Sequence, residues 1–551
     1  MPRGADDLTR EGSRLPPRSR VAVVVVLVAL AAGVYALWFS RDGIPTTPPD
    51  SAAYVSAAEN IAHGRGITMG FIPTDTEVSP ADAATYDGRS PLYQYSPGLP
   101  IVLAIPIAAG IPVTAAARVI NVLLFAATAA MVAWATLRLS RGSAFAAVFA
   151  AFLVATTSQW AIEARFVTTE ALFVPLTLLG LYLLAVSVVR SARREMVAFV
   201  ACAAVTALVR FVGVAVIATG GIALLLWSGG RMVERARRAV VVGVAAVVPV
   251  GMWALYQSRT AEGGAGGLSY HPPAIGPYLS ETLATWITGG AAFSSVALRY
   301  LALVGLIGVL VASALMLART RPHDAGSDAP PDAPPDALDV ALARVGIVFL
   351  VVYVAVQLFA MTFVHASPSK GRYLLPMVAP VVILAVATAR VAIARAPRGA
   401  VRTAIVAVVV VSTVGVAVWH GTSARDFLDS DIAFKASSLN ASPASVYRAL
   451  RQLPKGTIVF TDVPNLVWAG TDKYAISLPA ERSIWSNEKN LDYEKQLREV
   501  GLVMCRRPGV LFLAGRFAGF TARRIRRVAP VAVLGLYPDG VTLQRDPARC
   551  H

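Results

Sequence analysis

The amino-acid sequence predicts a polytopic α-helical membrane protein with about eleven membrane spans and a small C-terminal α/β domain. Of its 551 residues, 56% are hydrophobic and only 15% are charged, and the mean hydropathy is +0.60. These values lie outside the usual composition of soluble domains. Apolar runs recur up to about residue 420, and short β-type and helical patterns alternate after it.

Twelve apolar runs are candidates for membrane spans, and we interpret eleven of them as spans. The runs lie at 21–39, 97–112, 115–137, 143–158, 168–189, 196–209, 211–227, 239–256, 296–318, 342–364, 373–394 and 403–419. The second run has 16 residues and four prolines, whereas a helix needs about 20 apolar residues to cross a bilayer. We therefore interpret 97–112 as a juxtamembrane or re-entrant element, and 21–39 as an uncleaved first span.

The distribution of Lys and Arg predicts how the spans are oriented. With 97–112 excluded, the N-terminus and the loops on its side carry 21 Lys or Arg, whereas the opposite short loops and span ends carry six. Because positive residues accumulate on the cytoplasmic side, we predict a cytoplasmic tail (1–20), a transmembrane domain (21–420) and an extracytoplasmic C-terminal α/β domain (421–551). The long first loop, 40–114, is then extracytoplasmic. This bias accounts for the formal net charge of +17 without a nucleic-acid partner.

The predicted C-terminal domain combines strand-like and helical segments. Runs such as "GTIVFT" and "VLFLAG" alternate with "SPASVYRALRQL" and "DYEKQLREVG", a pattern typical of a small α/β fold. Cys505 and Cys550 are its two cysteines, and they either form a disulfide in an oxidising compartment or remain free thiols. The segment "DAGSDAPPDAPPDALD" lacks the apolar residues needed to pack and is interpreted as a disordered cytoplasmic linker.

A carboxylate, Asp50, begins a short helix directly after the first span. Pro48 and Pro49 prevent a helix before it, Asp50 is a good N-cap, and glycines follow the predicted helix 51–63. Its apolar side chains share one face, so we expect it to lie flat at the membrane surface. That face consists of Ala53, Tyr54, Ala57, Ala58 and Ile61. Asp50 either caps this helix or acts as a general base toward a hydroxyl group.

An ordered set of motifs resembles a known enzyme family. The segments "PDSAAYVSAAENIAHGRG", "YQYSPGLPIVLAIPIAAG", "AARVINVLLF", "ARFVTTEALFVPLTLLGLYLL", "ALVRFVG" and "GRYLLPMVAP" occur in this order. Between residue 20 and about 420, the chain is similar to the C-type (GT-C fold) integral-membrane glycosyltransferases, which include protein O-mannosyltransferases and aminoarabinose transferase. The resemblance implies the GT-C fold, a polyprenyl-phosphate-linked sugar donor, and an envelope glycan, lipid or protein acceptor. The reaction then takes place at the outer face of the cytoplasmic membrane.

The resemblance also implies roles for individual residues. Asp50 matches the acid that deprotonates the acceptor, and basic residues hold the donor phosphate. Where several relatives have a second acid or a Lys, this chain has Ser51 and Tyr95-Ser96. In the first loop, Arg89 is either a substitute phosphate ligand or a solvated charge. The substrate-binding candidates are Arg372, Arg210, Lys370, Glu170, Arg118, Arg89 and Tyr54.

The predicted topology brings most of these charges to one membrane face, as sugar transfer from a lipid phosphate requires. Arg372 either binds phosphate through its forked donors or anchors its span at the interface. Arg210 either reaches the same phosphate or forms a salt bridge with Glu170, which positions the acceptor or caps its span. No metal cluster is indicated, and a divalent cation bound through Asp50 stays open. The alternatives are a lipid-sugar flippase or transporter, and a non-catalytic envelope scaffold.

Overall fold

The computed structural model describes most of the chain, with gaps. It describes residues 18–41, 44, 48–73, 82, 84–92, 94–260, 304, 307–308, 311–312, 335–363, 371–395, 399, 403, 407, 415, 418–422, 445–482, 489–514, 518–537 and 540–550. Most of the predicted spans 296–318 and 403–419, residues 324–334 of the predicted linker and Lys370 lie outside these residues. The last five residues of that linker, 335–339, are helical and not disordered, and Asp339 forms an ion pair with Arg138.

Apolar helices make up most of the described chain. In sequence order they are α1 (Arg18–Phe39), α2 (Pro49–Ala62), α3 (Gly98–Ala108), α4 (Val113–Leu139), α5 (Ala144–Thr156), α6 (Ser158–Arg165), α7 (Glu170–Arg190), α8 (Arg193–Val209), α9 (Val214–Trp227), α10 (Met232–Thr260), α11 (Pro335–Phe363) and α12 (Val378–Arg395). Within the described ranges, six helices are long and apolar enough to cross a membrane, or seven if α5 and α6, bent by 61°, form one broken span. The number of eleven spans is not confirmed, but the chain is a multi-pass membrane protein.

The proline-rich run 97–112 forms a helix too short to span the bilayer. Helix α3 has 11 residues, and at 1.5 Å per residue it covers about half of the hydrocarbon thickness. Pro97 is its N-cap and Pro106 lies inside its last turn. The short length agrees with a juxtamembrane or re-entrant element.

The C-terminal residues form the predicted α/β fold, which we call the α/β region (residues 445–550). Its helices are α13 (Ser445–Gln452), α14 (Pro464–Thr471), α15 (Tyr493–Arg506) and α16 (Ala518–Val528). The strands of the chain are β1 (Thr68–Met69), β2 (Phe71–Ile72), β3 (Ser90–Pro91), β4 (Ile458–Thr461), β5 (Ala475–Ser477), β6 (Gly509–Ala514), β7 (Val531–Tyr537) and β8 (Gly540–Arg545).

One strand of the main sheet comes from the first loop, about 400 residues before its neighbour. The six-stranded sheet has the order β2-β5-β4-β6-β8-β7, in which the first four strands are parallel and the last two pair antiparallel. Strand β2 is thus an edge strand that pairs with β5. Strands β1 and β3 form a separate antiparallel pair within the first loop. The first loop and the α/β region therefore share one core.

A disulfide bond joins Cys505 near the end of α15 to Cys550, after β8. This pairing settles the choice between a disulfide and two free thiols. The bond encloses 45 residues of sequence, which contain α16 and strands β6 to β8. It therefore ties the last strands of the sheet to a helix that packs on them.

Replacing both cysteines with serine is expected to lower the free energy of unfolding of the α/β region by about 4 kcal/mol. Without the disulfide, the unfolded chain gains conformational entropy, and a closed loop of this length accounts for a change of that size. The measurement is the unfolding midpoint of the purified variant in detergent. A variant whose midpoint equals that of the reduced wild type, and lies well below that of the oxidised wild type, agrees with this expectation. An unchanged midpoint would contradict it.

Helix α2 is buried instead of lying at the surface. Nine of its fourteen residues are buried, and they occur on all sides of its first three turns. Ala52, Ala53 and Ala57 pack in the core of the α/β region, whereas Tyr54 and Val55 pack in the core of the membrane helices. The expectation of a helix flat on the membrane is therefore wrong, because the small alanine and serine side chains around α2 allow a second layer to pack on it.

Candidate active site

Asp50 lies in the first turn of α2 but does not cap it. The N-cap residue is Pro48, and no side-chain hydrogen bond caps this end. The Asp50 carboxylate instead makes two contacts across the fold. Its Oδ2 atom lies 2.6 Å from Nη2 of Arg372, and its Oδ1 atom accepts a hydrogen bond of 3.3 Å from the Tyr95 hydroxyl. The interpretation of Asp50 as a simple cap is therefore wrong.

Arg372 links two carboxylates from different parts of the chain. It lies in the 3-10 turn Gly371–Met377 that leads into α12. While Nη2 contacts Asp50, its Nε atom lies 3.9 Å from Oε1 of Glu170. Arg372 therefore lies in the turn before the first residue of α12 and not within the α12 helix itself.

Glu170 and Arg210 form a buried ion pair below Arg372. Glu170 is the first residue of α7 and its side chain is only 1% exposed, while Arg210 occupies the break between α8 and the turn that precedes α9. Arg210 Nη1 contacts Glu170 and also donates a 2.9 Å hydrogen bond to the Thr169 hydroxyl. The predicted salt bridge between these residues is therefore present. A Cβ atom at Gly213 would lie 2.6 Å from the Thr206 carbonyl, so glycine allows the tight return of the chain after Arg210.

The four charged residues become more exposed from Glu170 to Asp50. The exposed fractions of their side chains are 1% for Glu170, 15% for Arg210, 20% for Arg372 and 30% for Asp50. Glu170 and Arg210 thus form the floor of the site, and Asp50 and Arg372 form its accessible edge. A reacting group that enters the site meets a carboxylate and a guanidinium together.

Tyrosines surround the charged residues. Tyr54 and Tyr95 make an edge-to-face contact with ring centroids 5.3 Å apart. Burial and the nearby Asp50 carboxylate raise the pKa of both phenols, so each remains a neutral hydrogen-bond donor. The Arg372 and Arg210 guanidinium groups lie 5.3 Å and 5.8 Å from the Tyr373 ring centroid, within the range of cation–π attraction.

The backbone at Tyr373 is held by two polar side chains of α11. The Tyr353 hydroxyl donates a 2.7 Å hydrogen bond to the Tyr373 carbonyl, and Gln357 Nε2 donates one of 3.0 Å to the same oxygen. Both side chains are buried. They fix the turn that carries Arg372, so the guanidinium is positioned by a rigid backbone.

Glu163 is a buried carboxylate near the site that the sequence prediction did not include. It lies on α6, is 4% exposed, and accepts a 2.7 Å hydrogen bond from Gln159. It interacts electrostatically with Glu170 and Arg372. The sequence feature that could have indicated Glu163 is the single acid in "SQWAIEAR". It was missed because the preceding apolar run was interpreted as a span that ends at residue 158, so Glu163 was assigned to a loop.

The remaining candidate residues lie apart from this cluster or outside the described chain. Arg118 donates to Ser40 Oγ (3.3 Å) and the Leu37 carbonyl (3.2 Å), so its described hydrogen bonds join α4 to the end of α1. Arg89 is exposed in the first loop, and Lys370 belongs to the undescribed residues. Of the two other first-loop candidates, Tyr54 lies in the cluster around Asp50, where it packs against Tyr95, and Arg89 does not.

The described residues include no group of three His, Cys, Asp or Glu side chains arranged to hold a metal ion. Around Asp50, the described contacts of the carboxylate are with Arg372 and Tyr95. A cation would compete with the guanidinium for the same oxygens. Binding of a divalent cation through Asp50 stays a prediction.

The arrangement of the helices is that of a known class of membrane proteins. The chain has the GT-C fold, the fold of polyprenyl-phosphate-dependent membrane glycosyltransferases, as the resemblance of its motifs predicted. One similar structure is that of ArnT from Cupriavidus metallidurans bound to undecaprenyl phosphate. It matches with a TM-score of 0.54 and 16% identity over 96% of this chain and 98% of that chain.

A second similar structure comes from an archaeon. The oligosaccharyltransferase AglB from Archaeoglobus fulgidus, in complex with an inhibitory peptide and a dolichol-phosphate, matches with a TM-score of 0.51 and 11% identity. The match covers 92% of this chain and 71% of that chain. No family model matches the chain, and no curated sequence matches it significantly. At these identities the likeness establishes the fold, and the activity has to follow from the chemistry of the site.

Proposed function

We propose that this protein transfers a sugar from a polyprenyl-phosphate-linked donor to an acceptor hydroxyl at the outer face of the cytoplasmic membrane. The observation that supports this function is the contact between Asp50 and Arg372 on a GT-C fold. It combines a base for the acceptor with a cation for the leaving phosphate at the accessible edge of one site. The acceptor is an envelope glycan, a lipid or a protein.

The proposed reaction is a displacement at the anomeric carbon. Asp50 takes the proton of the acceptor hydroxyl while the acceptor oxygen forms a bond to the anomeric carbon. The bond from that carbon to the phosphate oxygen breaks, and the electron pair leaves with the phosphate. Arg372 stabilises the charge that develops on the phosphate. Attack from the side opposite the leaving group inverts the configuration.

Arg372 then has two successive partners. Without donor, its guanidinium is paired with the Asp50 carboxylate at 2.6 Å. A phosphate group competes with Asp50 for this guanidinium, because both are anions that suit its forked donors. Donor binding therefore releases the carboxylate toward the acceptor. Glu170 and Arg210 neutralise each other below and keep Arg372 in place.

The orientation in the membrane follows from the distribution of Lys and Arg. The positive-inside bias supports a cytoplasmic N-terminus and an α/β region on the outer side. Asp50 belongs to the first loop after α1, and so it lies on the same side as the α/β region. This side is where a lipid-linked sugar meets an envelope acceptor.

The test of the function is a transfer assay with purified protein in detergent. Radiolabelled polyprenyl-phosphate sugars are offered one at a time with a crude envelope fraction as acceptor, and released polyprenyl phosphate is measured. We expect release from at least one donor by the wild type. Movement of the lipid-linked sugar across vesicles without any release would instead support a flippase, and inactivity in both assays would support a scaffold.

Binding of the lipid phosphate is expected to respond in opposite directions to two substitutions. Arg372→Gln removes the guanidinium and is expected to weaken binding of polyprenyl phosphate by about tenfold or more, the value of one charge-assisted hydrogen bond. Asp50→Asn removes the competing anion and is expected to strengthen it. Equilibrium binding of the labelled lipid to each variant measures both effects. Weaker binding by Asp50→Asn would show that Asp50 does not compete with the phosphate.

A further inference from the structure

We propose that the α/β region positions the general base through three residues, Ser56, Gly70 and Trp468. This inference rests on the proposed function, because it assigns these residues to the placement of Asp50. They touch no reacting atom and act through helix α2, so they are positioning residues. The α/β region is then a part of the catalytic apparatus and not an appended module.

The first contact joins α2 to the segment between β1 and β2. The backbone N–H of Gly70 donates a 2.8 Å hydrogen bond to the Ser56 hydroxyl. Ser56 is on α2, six residues after Asp50, and is 1% exposed. A buried N–H without a partner is costly, so this hydrogen bond fixes the distance between the helix and the strand.

The second contact joins the same segment to the α/β region. A Cβ atom added at Gly70 would lie 2.4 Å from Nε1 and 2.6 Å from Cδ1 of the Trp468 indole, which leaves no room for a side chain. Trp468 is on α14, and its ring also packs against Phe71 with centroids 5.7 Å apart. Only glycine allows the indole and the strand to approach this closely.

Strand pairing gives the same connection a fixed register. Phe71 and Ile72 of β2 pair with Ala475 and Ile476 of β5, and the Ala475 N–H donates a 3.3 Å hydrogen bond to the Gly70 carbonyl. Gly70 is therefore held from both sides, by α2 through its N–H and by β5 through its carbonyl. Gly70 therefore links α2 to β5, in addition to the direct packing of the α2 alanines on the α/β region.

Helix α2 carries a displacement of Ser56 over to Asp50, because the helix is short and packs in two cores. Its alanines pack against the α/β region, and Tyr54 packs against the membrane helices. The partner of Asp50, Arg372, is held by other segments, namely the turn before α12 and the side chains of α11. A displacement of α2 therefore moves the base relative to the phosphate-binding group. Misplacement of a reacting group by about 1 Å costs on the order of 100-fold in rate.

The test is the Gly70→Ala variant in the transfer assay, with Gly519→Ala as the control. The added methyl group meets the indole, so we expect kcat to fall at least tenfold, while binding of polyprenyl phosphate stays within twofold of the wild type. Gly519 is in α16 and a Cβ atom there meets nothing within 4 Å, so Gly519→Ala is expected to keep the wild-type kcat.

Two further variants test whether the effect is one of position. The double variant Gly70→Ala with Trp468→Ala removes the indole atoms Nε1 and Cδ1 that the added methyl group meets, and it is expected to recover part of the lost kcat. If Gly70→Ala does not fold, Ser56→Ala removes only the hydrogen-bond acceptor and is expected to lower kcat severalfold, again with unchanged lipid binding.

Three outcomes would overturn the proposal. They are a wild-type kcat in both Gly70→Ala and Ser56→Ala, a loss of kcat that is accompanied by an equal loss of lipid binding, and no recovery in the double variant. A wild type that releases no polyprenyl phosphate from any donor overturns the proposed function, and this proposal with it. An active wild type with active Gly70 and Ser56 variants overturns this proposal alone.

Discussion

The Asp50→Asn variant is expected to lower kcat for sugar transfer by about 10²- to 10⁴-fold, the usual contribution of a general base. The amide has nearly the shape of the carboxylate but cannot accept a proton from the acceptor. It also keeps an oxygen that can accept the hydrogen bond from Tyr95. The loss therefore reports on proton transfer more than on the fold.

A matched control separates this effect from a general loss of negative charge. Asp87 is an exposed acid in the same loop, and Asp87→Asn is expected to leave kcat unchanged. Equal unfolding midpoints of wild type and Asp50→Asn would show that the variant is folded. If Asp50→Asn retained more than a tenth of the wild-type kcat while folded, Asp50 would not be the base.

Replacing Arg210 with methionine is expected to destabilise the protein by about 3–5 kcal/mol, because it leaves the Glu170 charge buried without its partner. Glu170 is 1% exposed, and Arg372 is its other cationic neighbour at 3.9 Å. The methionine side chain fills much of the same volume, so the effect comes mainly from the charge. The measurement is the unfolding midpoint of the purified protein in detergent.

The double variant Glu170→Gln with Arg210→Met is expected to recover a large part of this loss, because the partner carboxylate of Arg210 is then no longer charged. The control is Arg194→Met, which removes the exposed member of an ion pair with Glu195, whose side chains are 91% and 13% exposed respectively. A pair whose cation is this open to solvent contributes about 0–1 kcal/mol, so the midpoint should hardly change. An equal effect of Arg194→Met and Arg210→Met would contradict the role of burial.

The fold class and most of the site follow from local sequence patterns. Apolar runs mark the helices because a bilayer requires about 20 apolar residues, and the prolines of 97–112 mark the short helix α3. Asp50, Glu170, Arg210 and Arg372 stand out because charges near span ends are costly unless they serve a site. The structure brings these four residues together.

Other features depend on contacts that no local pattern reports. Strand β2 has two residues, too few for an alternating pattern, and its partner lies in the last quarter of the chain. Arg118 also lies near a span end, but a charge at a span end does not reveal which neighbour it faces, and its side chain contacts α1. The burial of α2 was missed because alanine and serine suit either a solvated face or a tightly packed one.

The pairing of β2 with β5 also determines when the site can be completed during synthesis. Ile72 leaves the ribosome early, but its partner Ile476 follows about 400 residues later, which takes about 20 to 80 seconds at usual rates of translation. Until then, the alanine face of α2 and the open edge of β2 lack the α/β region that covers them in the folded protein. The membrane helices can thus assemble before the first loop reaches its final position. Asp50 becomes fixed only after the C-terminal residues have folded, so a chain interrupted before residue 475 has its spans but no ordered base.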